Sequence, residues 1–168
     1  RLDPVWGSQA RRANDDTFHF TNCSPQHERF NQGQDLWQGI ENYILNRANI
    51  KDKKVSVFTG PVMAEDDPLY KGVRLPLAFW KIIAYVKDDG SLAVAAYMLE
   101  QAELIEDMLG LEAAFDAGSF RVPLEHIKER TGLDFDYLQA NELPLSQDGL
   151  EAAAGRVAIR RDYSNLAL

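Results

Sequence analysis

The sequence holds a single cysteine, Cys23, in 168 residues. No disulfide can close within the chain, so no disulfide framework argues for a secreted scaffold, and a thiolate-rich zinc site is excluded. A long apolar run is missing too. The longest candidate, Leu75 to Val86, is interrupted by Lys81 and is too short to span a bilayer, so no membrane partner is expected. Positive charge is scarce: 18 Lys and Arg stand against 26 Asp and Glu, a net charge of −8. A balance that acidic speaks at first against a nucleic-acid partner, because phosphate attracts cations. There is no internal repeat and no low-complexity tract. No methionine precedes Arg1 and no signal-type segment follows it. The chain is therefore expected to be a soluble, processed or truncated piece. A signal upstream would make it secreted or periplasmic, and the compartment stays open.

What is present is ordinary in kind and uneven in distribution. Hydrophobic residues make up 45% and charged residues 26%, which suits one globular domain with one core. From Asp88 to Glu151 there are 15 acids and three bases (Arg121, Lys128, Arg130), a net of −12, leaving +4 for the rest. The first 50 residues carry five bases and six acids. The acid excess thus belongs to one stretch.

Residues 1 to 16 are polar and turn-rich and read as irregular structure anchored by Trp6. Thr17 to Thr21 is β-branched and aromatic and predicts a strand, with His19 mid-strand and opposite in facing to its phenylalanine neighbours. A loop follows around Pro25. Leu36, Trp37, Ile40, Tyr43 and Ile44 recur at helical spacing and predict a helix from about Gln34 to Arg47, with Glu41 at the edge of its apolar stripe. Lys54 to Thr59 predicts a strand closed by Gly60-Pro61, and Ala64 to Gly72 a loop. Phe79 to Val86 and Leu92 to Leu99 flank a Gly-containing turn and predict a hairpin. Glu103 to Leu109 and Pro123 to Thr131 predict short helices closed by Gly110 and Gly132, with Pro123 in the first turn of the second. The fold class expected is α+β, around a central antiparallel sheet flanked by helices.

The densest polar constellation is Thr21-Asn22-Cys23-Ser24-Pro25-Gln26, then Phe30-Asn31-Gln32-Gly33, then Trp37 and Glu41. Carboxamide and carboxylate oxygens are hard ligands suited to Mg²⁺, which keeps most of its waters and needs few protein groups. Each residue also has a commoner use: Asn22, Ser24 and Asn31 as turn or capping residues, Trp37 as core, Glu41 as a solvated helix charge. The residues alone reach no further than a hard-metal site.

This pattern (Asp16-Thr-Phe-His-Phe-Thr-Asn-Cys-Ser-Pro-Gln26, Phe30-Asn31-Gln32, Trp37, Ile40-Glu41-Asn42-Tyr43) resembles the DNA/RNA non-specific endonucleases, the ββα-metal or His-Me finger nucleases that include endonuclease G. Weaker echoes continue through Val57-Phe-Thr-Gly-Pro61, Phe79-Trp80-Lys81 and Thr131-Gly-Leu-Asp-Phe135. The resemblance implies that Asn31 is the direct protein ligand of Mg²⁺, with Mn²⁺ as substitute. It implies further that Glu41 holds a metal-coordinated water and that Asn22 orients the site from the preceding strand. That strand and the helix from Gln34 would be the second β and the α of the motif. The activity implied is sugar-non-specific hydrolysis of DNA and RNA to 5′-phosphate products. Arg11, Arg12, Arg29, Arg47 and His27 are the candidate phosphate contacts.

Two departures stand out. The spacing from Asn31 to Trp37 and Glu41 is two residues longer than in better-known members, and the family's Asp-Arg-Gly-His motif is absent. That motif lies just upstream of the segment matching Arg1 to Pro4. The chain is therefore expected to be the C-terminal portion of one nuclease domain, residues 1–168, without the strand bearing the catalytic histidine. That histidine would deprotonate the attacking water. His19, His27 and His126 are not placed to replace it, so this piece alone is expected to be inactive. The rival readings are a catalytically dead module of the same fold that binds metal and nucleic acid, and a purely structural domain. Some family members are homodimers, but the sequence marks no dimer face. The acid-rich stretch is expected on a side away from substrate.

Overall fold

A computed structural model describes residues 7–19, 23–32, 41, 54–102, 104–105 and 119–145. The architecture is a four-stranded antiparallel sheet with helices, as the α+β expectation required. Its order is β1 (Val55–Val62), β4 (Ala78–Val86), β5 (Leu92–Glu100), β6 (Ser119–Val122). A separate two-stranded ribbon pairs β2 (Leu69–Tyr70) with β3 (Val73–Arg74). The helices are α1 (Ser8–Asp16), α2 (Glu28–Gln32), α3 (Leu124–Thr131) and α4 (Asp136–Gln139); Glu41 is helical too.

The β4–β5 hairpin is the centre. Its register runs from Ala78 opposite Glu100 to Val86 opposite Leu92. The turn closes through Gly90 N–H donating to the Lys87 carbonyl at 3.0 Å, with Gly90 at φ 82°. Asp89 accepts both the Ser91 amide and hydroxyl, at 2.9 and 2.6 Å, which fixes the loop.

Both faces of the pair are covered, so β4 and β5 read as nearly continuous apolar runs. On one face Phe79, Ile83, Tyr85, Ala93, Ala95, Tyr97 and Leu99 pack with Phe30 of α2 and Leu104. On the other, Trp80, Ile82, Ala84, Val94, Ala96 and Met98 pack with Leu124 and Ile127 of α3, and with Phe135 and Leu138. Glu125, Glu129, Asp134 and Asp136 of the acid-rich stretch belong to this α3–α4 layer, across the sheet from Phe30.

The helix expected over Pro123 to Thr131 is present with one change. Pro123 is its N-cap (φ −66°, ψ 150°) rather than a first-turn residue, and Gly132 ends it at φ 71°. The Glu142 carboxylate accepts the Leu124 amide at 2.8 Å, so an acid sits on the positive end of the helix.

Four other expectations are corrected. Residues 8–16 are helical: Ser8 to Ala13 contains alanines, arginines and a glutamine, good helix formers that outweigh the Asn and Asp behind them. Thr17 to His19 is not strand. Thr17 N–H and Oγ1 both donate to the Asn14 carbonyl, and Phe18 N–H to Asp15, so these residues spend their bonds ending α1. His19 follows in an exposed loop, its Nε2 3.9 Å from Asp16. Gly60-Pro61 does not close β1, which runs on to Val62. Among the described residues β1 pairs with β4 alone, so Pro61 removes no second ladder bond there. Gly60 leaves room for the Trp80 indole, since an added Cβ would lie 3.0 Å from it. Finally, the loop from Ala64 to Gly72 contains β2 and turns at Lys71 (φ 50°) and Gly72 (φ 81°) into β3, the geometry of a tight hairpin. Trp6, Asn22, Trp37, Arg47, the predicted helix apart from Glu41, and most of Glu103 to Leu109 lie outside the described residues.

Candidate metal and phosphate site

The site is built on the Phe30 face of β4. Residues 23–27 form a loop tied to Gln101 at the end of β5 and continue into α2. Asn31 N–H donates to the His27 carbonyl at 3.0 Å, closing the first turn of α2. The residues of that turn face different ways around the helix axis. Phe30 is fully buried, with its ring centroid 5.4 Å from that of Phe79, while Asn31 and Gln32 are exposed. Burial of one ring thus sets the carboxamide next to it at the surface.

Two residues along β4, on the same face as Phe79, stands Lys81. In a strand this is a step of about 6.8 Å. Lys81 is 1% exposed, and its Nζ donates to Glu41 Oε1 at 3.0 Å; the Glu41 side chain is half exposed. The neighbours in register are Thr59 and Tyr97. Burial pushes the Lys81 ammonium pKa down, and the Glu41 carboxylate, by its charge and its hydrogen bond, pulls it back up. Lys81 therefore acts as a fixed post on which the Glu41 carboxylate is held while its other face meets solvent. Through Phe79 and Lys81, one face of one strand anchors both the Asn31 segment and the Glu41 carboxylate.

The candidate phosphate contacts divide. Arg29 is exposed on α2, two residues before Asn31, and its N–H donates to His27 Nδ1 at 3.2 Å. Arg11 and Arg12 lie exposed on α1, a different element. Asn22 and Arg47 lie outside the described residues. His126 lies in α3 across the sheet, where burial lowers its pKa first, with Arg130 adding to the effect. An exposed carboxamide and a half-exposed, oriented carboxylate are donor types that suit a hard divalent cation holding several waters. Among the described residues there is no cluster of three or more His, Cys, Asp or Glu that would demand another metal.

Two residues escaped the sequence reading. Lys81 shows as a charge interrupting an apolar run and within the Phe79-Trp80-Lys81 echo of the family pattern, with no role attached, and a lysine at the centre of a two-sided strand is itself a signal worth pursuing. Gln101, described below, carries no local signal.

Comparison with known proteins now adds to this geometry. The family described as DNA/RNA non-specific endonuclease matches residues 1–142. A protein of Sinorhizobium fredii, "Uncharacterized protein y4fB", is 40% identical over 168 residues, covering 95% of this chain and 24% of its own length. Mitochondrial endonuclease G of Bos taurus and of Homo sapiens are each 27% identical over 138 residues, 75% of this chain and 43% of theirs. The chain thus spans about a quarter of the first of these relatives and less than half of the other two. It belongs to the DNA/RNA non-specific endonuclease family.

Proposed function

We propose that the chain carries the metal-holding part of a Mg²⁺-dependent, sugar-non-specific endonuclease of ββα-metal fold, which hydrolyses DNA and RNA to 5′-phosphate products. The observation that carries this reading is the shared anchorage on β4. Phe79 seats the helix bearing Asn31, and Lys81 orients Glu41 two residues further on. In this reading Asn31 offers its carboxamide oxygen to the metal, Glu41 holds one of its waters, and Asn22 orients the site. Mn²⁺ would replace Mg²⁺ on the same hard donors. When bound, the metal supplies positive charge against the charge that builds on the phosphoryl oxygens.

The remaining work falls to the chain's own groups. Arg29, beside Asn31, is positioned to draw a phosphate toward the site, and Arg11, Arg12, Arg47 and His27 are further contacts along a strand. Contacts of this kind read backbone and not base edges, which accounts for indifference to sequence and sugar. Lys81 keeps the Glu41 carboxylate aimed.

Water activation needs a base that these residues do not supply. His27 Nδ1 is engaged by the Arg29 amide, His19 sits at the end of α1, and His126 lies across the sheet. The base would come from an Asp-Arg-Gly-His motif, and a polypeptide limited to residues 1–168 is expected to leave nucleic acid uncut. The test is digestion of plasmid DNA and of RNA by the full-length protein, with Mg²⁺ and with EDTA. Cutting of both substrates that stops with EDTA is expected. A folded full-length protein that leaves both intact in Mg²⁺ refutes the proposal and favours a dead binding module.

A further inference from the structure

Gln101 follows directly on β5 and is 1% exposed. A buried carboxamide must find partners for two donor protons and an acceptor oxygen, or cost free energy. Here it finds them far away in sequence. Nε2 donates to the Pro25 carbonyl at 3.3 Å and to the Pro76 carbonyl at 2.6 Å, and Oε1 accepts the His27 amide at 2.8 Å. The backbone of Gln101 is tied as well: its N–H donates to Leu77 and its carbonyl accepts from Ile105. One side chain therefore clamps the 23–27 loop onto the rim of the sheet.

The consequence reaches Asn31 in one step. His27, whose N–H Gln101 holds, offers its own carbonyl to the Asn31 N–H. The helix α2 has five residues, far too few to persist without tertiary support. Its support is of two kinds. Phe30 in the core fixes how deep the helix sits, but apolar packing is weakly directional. The Gln101 bonds are directional and act at the residue from which the helix starts.

We propose that Gln101 is a positioning residue for the metal site: it fixes the start of α2, and with it the place and heading of the Asn31 carboxamide. This rests on the reading of Asn31 as metal ligand. The chain of bonds gives Gln101 a role that no apolar residue of equal volume could fill, since three peptide groups would then be left without their partner.

The test is Mn²⁺ binding to the full-length protein, read from the electron paramagnetic resonance signal of free Mn²⁺, beside thermal unfolding of the same samples. Gln101→Met keeps the volume and removes every side-chain bond. Gln101→Asn keeps a buried amide that is one methylene too short to reach all three groups. Asn31→Ala reports on the site itself, and Ile127→Ala, buried on the other face, reports on lost stability alone. Both Gln101 variants are expected to fold and to bind Mn²⁺ about 10- to 100-fold more weakly, the usual scale for removing a group that orients a ligand. Ile127→Ala is expected to melt earlier and to bind as wild type does. If the Gln101 variants bind like wild type while Asn31→Ala does not, Gln101 has no positioning role and the Asn31 site stands. If Asn31→Ala binds like wild type, the site reading falls and the proposal with it. If neither Gln101 variant folds, Gln101 is a stability residue only and the proposal is overturned.

Discussion

The two faces of the β4–β5 pair are both buried, yet they are closed in different ways. The face under α3 is apolar throughout: Trp80, Ile82, Val94, Ala96 and Met98 meet Leu124, Ile127, Phe135 and Leu138. The opposite face has comparable apolar residues, but Lys81 stands in the middle of it and Gln101 follows at its end. A buried ammonium is a poor device for stability, because desolvation offsets much of what its ion pair returns and a well-packed apolar residue serves as well or better. Its presence on one face and not the other separates a face that holds the domain together from a face that holds groups in place for a site.

That contrast can be broken by substitution. The largest stability effect is expected on the apolar face. Ile127→Ala should cost about 2–5 kcal/mol, seen in denaturant unfolding, because a fully buried side chain leaves a cavity. Its nuclease rate per folded molecule should be unchanged. Lys81→Met should do the reverse. The unfolding midpoint should move little, since an apolar chain fills the same volume and Glu41 is free to turn to water. The nuclease rate of the full-length protein should fall about 10- to 100-fold as the carboxylate loses its post. Equal losses of stability and rate in both variants would erase the distinction between the faces. A smaller effect is expected of Gly60→Ala at the edge strand. The new methyl meets the Trp80 indole at 3.0 Å, and overpacking of this kind costs about 1–3 kcal/mol, measured by thermal unfolding. Least of all should follow from Lys128→Ala. The 2.7 Å pair with Asp136 lies in water, and its loss should leave both unfolding and cleavage within error.

Much of the apolar face was legible in the sequence. The hairpin of Phe79–Val86 and Leu92–Leu99 announces itself by two strand-like runs around Lys87 to Ser91, and Gly132 marks the end of α3 because a left-handed cap favours glycine. Local chemistry misled at Thr17, whose branched side chain suggests a strand but caps a helix, and at Gly60-Pro61, where an edge position tolerates what usually stops a strand. The site face was legible only in part. Asn31 and Glu41 stand out as hard donors, and the family resemblance assigns them roles. The anchors do not stand out, because their partners are remote: Lys81 meets Glu41 across 40 residues, and Gln101 meets Pro25 and His27 across 76 and 74. No periodicity in the chain reports a contact of that range.

The net charge of −8 opened as an objection to a nucleic-acid partner. The sheet weakens it, since the acids of the α3–α4 layer belong to the opposite face of the β4–β5 pair from Asn31's helix. Attraction to phosphate should nonetheless be modest, and cleavage should slow as salt rises.

The metal-holding group proposed for the nuclease is the exposed carboxamide of Asn31. That role is tested most directly by the rate at which full-length Asn31→Ala cleaves plasmid DNA at saturating Mg²⁺, measured beside its unfolding midpoint. An unchanged midpoint is expected, because the side chain is exposed, and a rate lowered by about 10²–10³-fold, the scale of losing one pre-placed group that stabilises transition-state charge. A folded Asn31→Ala protein that cuts at the wild-type rate would contradict it.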